Sequence, residues 1–235
     1  RYMGMEKDCF TFRAFSIRQD KCAMKVGTDG VLLGAWAPGG TRILDIGTGT
    51  GLIALIMAQR FGGSMIDAID IDADACEQAR QNVAASPFPT RIHVWQSDLQ
   101  HFCSPKPYDA IVCNPPFFVN ALRCPNSKRT IARHTDTLSP RDLFAHAYRL
   151  LADGGTLALI IPTDQADGFV AESIIAGFFE KGRVRIKTTE RKAAKRLLLS
   201  FTKKSSTVRT DTEQVLFYGQ QKSEWYHALT ADLYL

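Results

Sequence analysis

Short apolar runs alternate along the chain with longer segments whose apolar residues recur every three or four positions. The first pattern is typical of buried strands and the second of amphipathic helices. Seven strands are predicted, at residues 43–46, 65–71, 92–95, 108–113, 156–161, 184–188 and 197–201. Helices are predicted at residues 51–61, 73–85, 139–151 and 165–181, the third of them capped by Ser139 with Pro140 in its first turn.

The order of these elements predicts an α/β fold with a doubly wound, Rossmann-like, mostly parallel sheet of seven strands. The last two strands lack a full crossover helix between them, so they are expected to form an antiparallel pair at one edge. Residues 118–137 have no clear period, and a loop of that length in a compact domain usually carries function.

Three parts of one folded unit are expected. Residues 41–204 contain the alternating elements and form the main domain. Residues 1–40 precede the first strand and are expected to be an N-terminal extension packed on the cofactor site defined below. Residues 205–235 are expected to be a C-terminal extension, with patterns of a short strand at 215–218 and a short helix at 223–233.

Composition narrows the classes of function. The 235 residues are 45% hydrophobic and 23% charged, as in ordinary globular proteins. No apolar run approaches the roughly 20 residues of a membrane span, and no apolar secretion segment opens the sequence, so a cytoplasmic location without membrane contact is expected. The six cysteines show no C-x-x-C pair and no metal-ligand spacing, so free thiols and no bound metal are expected.

Positive charge is concentrated in one stretch of the chain. The net charge is +5, but residues 181–204 hold ten Lys and Arg against one acid, so this stretch carries +9 and the remainder −4. Such a stretch is either a solvated charged face or the footprint of a polyanion such as RNA.

A glycine-rich loop, DIGTGTG at residues 45–51, follows the first predicted strand and opens the first helix. Glycines let the backbone turn sharply and approach a ligand, and the start of a helix offers free N–H groups. A dinucleotide fingerprint, G-x-G-x-x-G, would place its third glycine where this chain has Leu52, which disfavours a nicotinamide dehydrogenase. An acid followed by G-x-G-x-G is instead the pattern of enzymes that use S-adenosylmethionine and release S-adenosylhomocysteine.

Three acids follow three successive strands and are expected to converge on one crevice. Asp45 is expected to help hold the ammonium group of the cofactor. Asp70 is placed to bind its ribose hydroxyls, with Asp72 as the weaker candidate, and Asp98 to accept from its adenine amine. The cofactor-binding residues predicted from these motifs are Asp45, Gly47, Thr48, Gly49, Gly51, Asp70, Asp98 and Leu99.

The tetrapeptide Asn114-Pro115-Pro116-Phe117 closes the fourth strand and is the predicted catalytic element. An exocyclic amine is a weak nucleophile because it shares its lone pair with the ring. The side-chain oxygen of Asn114 and the carbonyl of Pro115 can accept its two N–H bonds and direct the lone pair at a methyl group. The prolines make the loop rigid, and Phe117 offers a surface for stacking. This element indicates methylation of an amino nitrogen without deciding among adenine, guanine and a glutamine amide.

The stretch CAMKVGTDGVLLGAW at residues 22–36, together with the Asn-Pro-Pro-Phe element, resembles the bacterial tRNA(Val) adenine-N6 methyltransferases. The similarity covers nearly the whole chain and implies a class I enzyme that methylates adenine 37 of tRNA, beside the anticodon. It also implies that the segment before the first strand folds over the cofactor, with Lys25 and Thr28 near its methionine part. Many members of the family have Tyr where this chain has Phe117, and Phe also resembles the guanine-N2 methyltransferases of ribosomal RNA.

Basic residues in two regions are predicted to bind RNA. Arg183, Arg185 and Lys187 alternate along a predicted strand and are expected to share one face. Phosphate contacts of this kind give affinity with little sequence information. The predicted RNA-binding residues are Arg123, Arg129, Arg133, Arg183, Arg185, Lys187, Lys192, Lys195 and Arg196.

The favoured interpretation is therefore a tRNA adenine-N6 methyltransferase. The alternatives are a ribosomal RNA guanine-N2 methyltransferase and a protein glutamine-amide methyltransferase, which would share the tetrapeptide but would not need the basic stretch. A non-catalytic RNA-binding module with a vestigial fold is disfavoured, because a dead site need not keep the glycine loop, the acids and Asn114.

Overall fold

The structure is a computed structural model that describes residues 8–22, 25–116, 138–205 and 208–235. In chain order, the strands of this part are β1 (Cys9–Thr11), β2 (Ser16–Arg18), β3 (Arg42–Ile46), β4 (Met65–Asp70), β5 (Ile92–Gln96), β6 (Tyr108–Cys113), β7 (Leu151–Pro162), β8 (Phe179–Thr189), β9 (Arg196–Thr202), β10 (Thr210–Tyr218) and β11 (Gln221–Lys222). The α-helices are α1 (Thr28–Trp36), α2 (Leu52–Arg60), α3 (Ala73–Ala84), α4 (Pro140–Leu150), α5 (Ala166–Ile175) and α6 (Glu224–Thr230), with a 3₁₀ turn at Thr163–Gln165.

The central sheet confirms the predicted doubly wound, mostly parallel fold. Its order is β11-β10-β8-β9-β7-β6-β3-β4-β5, and β9 runs antiparallel to both of its neighbours, β7 and β8. All seven predicted strands are present. Beyond them, β10 pairs in parallel with β8 and carries β11, so the described sheet has nine strands and the antiparallel strand lies inside it. The prediction missed most of β10 because its first half is polar and exposed.

Helices cover both faces of the sheet and bury two apolar clusters. On one face, α1, α2 and α6 contribute residues such as Leu33, Ile56 and Tyr226 to the first cluster. On the other face, α4 and α5 contribute Phe144 and Phe169 to the second. No helix in the described ranges is long and apolar enough to cross a bilayer.

The helix predicted at residues 165–181 is shorter than expected and shows how a glycine sets an element boundary. It ends at Ile175, and Gly177 then adopts a φ of +93°, which ends the helical path. The next strand begins at Phe179, so Lys181 lies in β8 instead of in a helix. The predicted cap of α4 is confirmed, since the Ser139 side chain accepts a hydrogen bond from the Asp142 amide at 3.0 Å.

The N-terminal segment packs directly on the main sheet layer. Helix α1 lies against α2 at close range, because a Cβ on Gly34 would come within 3.0 Å of the Ile56 side chain. Buried Asn82 of α3 fixes the β1–β2 hairpin, accepting from the Arg18 amide at 2.8 Å and donating to the Arg18 carbonyl at 2.9 Å. Asn82 also donates to the Thr50 carbonyl at 2.9 Å, so one side chain joins this hairpin to the glycine loop.

Candidate active site

The glycine loop adopts a backbone path that its glycines make possible. Gly47, Gly49 and Gly51 have φ angles of +69°, +56° and +84°, a region that other residues rarely enter. The amides of Gly47 and Thr48 donate to the Ile69 carbonyl at 2.9 and 3.0 Å, which ties the loop to the end of β4. The loop is therefore a preformed turn between β3 and α2.

Asp45 lies completely buried beneath this loop. Its Oδ2 accepts from the Thr48 hydroxyl at 2.7 Å and from the Ala54 amide at 3.2 Å, so the carboxyl joins the loop to the first turns of α2. Its Oδ1 has no hydrogen-bond partner in the described residues. Burial in a desolvated site raises the pKa of Asp45 to about 7.

A cavity of about 300 Å³ opens beside the loop, at the lower end of the roughly 300–1,000 Å³ typical of ligand pockets. It brings together Gly47, Thr48 and Gly49 of the glycine loop, the start of α1 and the predicted catalytic Asn114, whereas Asp45 and Gly51 do not line it. Its lining residues are Lys25, Gly27, Thr28, Asp29, Gly30, Gly47, Thr48, Gly49, Thr50, Leu52, Ile53 and Asn114. Three regions far apart in the sequence thus share one concave surface, as expected for ligands at the carboxyl ends of parallel strands.

Asp70 lies at the end of β4, next to this cavity. Its Oδ2 accepts from the Gly49 amide at 2.8 Å and its Oδ1 from the Asp72 amide at 3.0 Å. Asp72 is committed elsewhere, because its carboxylate caps α3 by accepting from the Asp74 amide at 2.8 Å. Between the two acids, the Ile71 side chain is 53% exposed, a feature that the sequence reasoning did not single out. The signal for it would have been an aliphatic residue directly after a strand-ending acid.

Asp98 follows β5 and is held by a neighbouring histidine. Its Oδ1 accepts from the His101 amide at 2.8 Å, and both carboxylate oxygens lie 2.8 Å from His101 Nδ1. These hydrogen bonds lower the pKa of Asp98 and keep it ionised. Leu99 is only 3% exposed in the second apolar cluster, and its carbonyl accepts a hydrogen bond from Arg149 at 3.2 Å.

The acceptor side of the cavity is formed by the residues after β6. Asn114 lines the cavity, and its Oδ1 is buried without a hydrogen-bond partner in the described part of the chain. Pro115 is buried and Pro116 is exposed, while Phe117 lies outside the described residues. A buried amide oxygen without a partner is costly, so its position inside a cavity indicates a site for a hydrogen-bond donor.

Comparison with known proteins identifies the family. The family model of the methyltransferase small domain matches residues 27–192. Curated relatives are named tRNA1(Val) (adenine(37)-N6)-methyltransferase: that of Phocaeicola vulgatus is 46% identical over 98% of this chain and 99% of its own length. Those of Parabacteroides distasonis and Klebsiella pneumoniae are 43% and 39% identical, over 98% and 99% of this chain and 99% and 97% of their own lengths. This chain belongs to that methyltransferase family.

Solved structures share the fold of this methyltransferase. A predicted O-methyltransferase from Agrobacterium tumefaciens superposes with a TM-score of 0.69 at 18% identity, over 87% of this chain and 96% of its own. The glycopeptide N-methyltransferase MtfA, complexed with S-adenosylmethionine, does so with a TM-score of 0.56 at 14% identity, over 74% and 94% of the two chains. At these identities the likeness concerns the Rossmann-like fold.

Strand β8 of the methyltransferase has the predicted alternation of basic and apolar residues, but its basic side chains are in ion pairs. Arg183, Arg185 and Lys187, called here the strand cations, lie on one face of β8, opposite buried Val184 and Ile186. Each of them is paired with an acid. Arg183 donates to Glu180 at 2.8 and 2.9 Å, Arg185 to Asp211, and Lys187 lies 3.3 Å from Glu213. Glu180 of β8 and two acids of β10 therefore balance the positive charge of the strand cations.

The loop between β8 and β9 keeps its positive charge. Arg191, Lys192 and Lys195, called here the loop cations, are exposed and form no ion pair with any residue in the described ranges. The loop also contains one exposed acid, Glu190. Of the other predicted RNA-binding residues, Arg196 starts β9 and donates to Asp29 at 2.7 Å, whereas Arg123, Arg129 and Arg133 lie outside the described residues.

Proposed function

We propose that this protein transfers the methyl group of S-adenosylmethionine to the exocyclic N6 amine of adenine 37 in a valine tRNA. The relatives that carry this activity in their names match the chain over nearly its full length. The observation on which the proposal depends most is the buried Oδ1 of Asn114, which lies in the same cavity as the glycine loop and has no hydrogen-bond partner in the described residues. It offers a hydrogen-bond acceptor to an amine next to the site of the donor. Since tRNA is the substrate, the proposal also places the protein in the cytoplasm.

The donor site is proposed to extend along the strand ends from the cavity. Lys25 and Thr28 line the cavity and would face the methionine part of the cofactor, with the glycine loop beneath it. Asp70 would bind the ribose hydroxyls, and the exposed side chain of Ile71 would pack against the adenine ring. Ionised Asp98 would accept from the adenine amine. In this proposal, residues 1–40 act as an extension that closes the methionine end of the site.

The acceptor site is proposed to work by alignment. The cofactor, when bound, supplies an electrophilic methyl group on a sulfonium. Asn114 Oδ1 and the Pro115 carbonyl would accept the two N–H bonds of the target amine and turn its lone pair toward that methyl group. With the cofactor bound, a new N–C bond would replace the C–S bond of the sulfonium and the nitrogen would lose its proton afterwards, so no strong general base would be needed. Rigid acceptors avoid reorganisation during the reaction.

The proposal is tested by nucleoside mass spectrometry of RNA from a strain that lacks the gene, before and after treatment with the purified protein and S-adenosylmethionine. We expect N6-methyladenosine to be missing from one tRNA and to be restored by the protein. Restoration of N2-methylguanosine in ribosomal RNA would instead support the guanine alternative. Labelled methyl incorporation that survives RNase treatment would support a protein substrate and contradict the proposal.

A further inference from the structure

The strands next to the acceptor site continue well beyond it. Arg183 pairs with Leu199 across β8 and β9, and Leu199 with Leu159, which in turn pairs with Cys113 at the end of β6. Arg183 is therefore level with the start of the Asn-Pro-Pro-Phe element. Strand β8 extends six residues further, to Thr189, which is about 20 Å at the rise of a parallel strand. Three strand spacings, about 14 Å in total, separate β8 from β6.

Arg191 and Lys192 follow the end of this extension, Lys195 lies on the return of the loop beside Ile186, and hydrogen bonds hold the loop to the sheet. The Thr163 amide donates to the Lys195 carbonyl at 3.1 Å and the Thr163 hydroxyl to the Ala194 carbonyl at 3.1 Å. The Lys195 amide donates to the Ile186 carbonyl at 3.1 Å. These hydrogen bonds fix the loop at the far end of β8, away from the end of β6.

Their charge is available to phosphates, unlike that of the strand cations. A phosphate that binds Arg185 or Lys187 must replace Asp211 or Glu213, so its binding exchanges one ion pair for another. The loop cations have no such partners in the described residues. A phosphate can therefore bind the loop cations without first breaking an ion pair, and its binding releases counterions from the RNA.

An aromatic residue stands beside the loop. Tyr218 ends β10, next to Phe217, which pairs with Thr189 at the end of β8. Its side chain is 51% exposed. Every base has a π-face, so an exposed ring on the strand end beside a basic loop suits an unpaired base whatever its identity.

We propose that the loop cations and Tyr218 form a docking surface for the RNA that flanks the target nucleotide, contacting phosphates and one unpaired base. This inference rests on the proposed RNA substrate and goes beyond it, because it assigns docking to the loop and removes it from the strand cations. A stacked strand rises about 3.4 Å per nucleotide, so the surface is several nucleotides away from the methylated base.

The test compares two charge-matched variants of the full-length protein. The loop variant carries Lys192→Gln and Lys195→Gln. The strand variant carries Arg185→Gln and Lys187→Gln. Each variant removes two positive charges from the same end of β8 and its loop. Affinity for unmodified tRNA is measured against salt concentration. We expect the loop variant to flatten the log–log slope by about 1.5 and the strand variant by less than half of that. Tyr218→Ala is expected to weaken RNA binding about tenfold, and Tyr218→Phe to retain it.

Cofactor affinity and the melting temperature serve as controls and are expected to stay unchanged in the loop variant. Two outcomes would overturn the docking surface and leave the proposed function intact, provided that the wild type binds tRNA normally. One is an equal loss of salt-dependence slope in the two charge variants. The other is a loop variant whose tRNA affinity and slope match those of the wild type. A wild-type protein that neither binds nor methylates tRNA would overturn both.

Discussion

Arg196 Nε lies 2.7 Å from Asp29 Oδ2, and this ion pair joins residues that are 167 positions apart. Asp29 is in the first turn of α1 and lines the cavity, whereas Arg196 starts β9 directly after the basic loop. The two side chains are 22% and 32% exposed, so the pair is partly shielded from solvent. It connects the cavity with the base of the loop between β8 and β9.

Because of this connection, Asp29→Asn is expected to raise the apparent KM for both cofactor and RNA several-fold. The variant should also lose about 0.5–1 kcal/mol of stability, or a few degrees in melting temperature. Initial rates with each substrate varied in turn, together with a thermal melt, provide the measurement. A double-mutant cycle with Arg196→Gln isolates the pair itself. Additive effects in that cycle would show that the two residues act separately.

The role of Asn114 gives a prediction about turnover. Its Oδ1, which has no hydrogen-bond partner in the described part of the chain, is proposed to accept from the target amine. Asn114→Ala removes this preorganised acceptor and should slow methyl transfer roughly 10²–10³-fold. Because the glycine loop and the strand-end acids are proposed to hold the donor, its affinity should stay near the wild-type value. Single-turnover methyl transfer and calorimetric titration separate the two effects. Wild-type turnover in this variant would remove Asn114 from the mechanism.

The sequence determined the parts of the fold whose signals are local. Apolar residues, in continuous runs or alternating with polar ones, marked seven of the nine described strands of the sheet, and the glycine loop marked the turn between β3 and α2. The polar first half of β10 carries no such signal, since its place in the sheet is set by pairing with β8. The helix at 165–181 was overextended because Gly177 acts through a positive φ that the apolar period does not reveal.

The same limit applies to charge at the candidate site. Counting charges along residues 181–204 could not register that Asp211 and Glu213 lie beside β8, because they come later in the chain. By contrast, the position of Asn114 beside the glycine loop followed from the sheet topology, since parallel strands end at a common edge. The position of Asn114 was therefore predictable from the expected strand order, whereas the ion pairs between β8 and β10 were not, because the pairing of these two strands was not predicted.

The buried carboxyl of Asp45 predicts an unusual dependence of stability on pH. Burial raises its pKa from 3.8 to about 7, so between these values the folded state holds a proton that the unfolded state has released. The contribution of Asp45 to stability is thus fully present below pH 4, falls as the pH rises to about 7, and is constant above that. Thermal melts of wild type and Asp45→Asn from pH 4 to 8 measure this difference. We expect the variant to gain in stability relative to wild type across this range, and a constant difference would contradict the assignment.

Ile71 provides a prediction for the donor site that the sequence motifs did not. Its half-exposed side chain lies between Asp70 and the helix cap Asp72, where it is proposed to cover the adenine ring of the cofactor. Burying the exposed half of such a side chain contributes about 1 kcal/mol, so Ile71→Ala should weaken cofactor binding about fivefold. Ile174→Ala is the matched control, because that isoleucine is 66% exposed on α5 and outside the cavity. Calorimetric titration of both variants should show the loss only for Ile71, and equal affinities would mean that the adenine ring binds elsewhere.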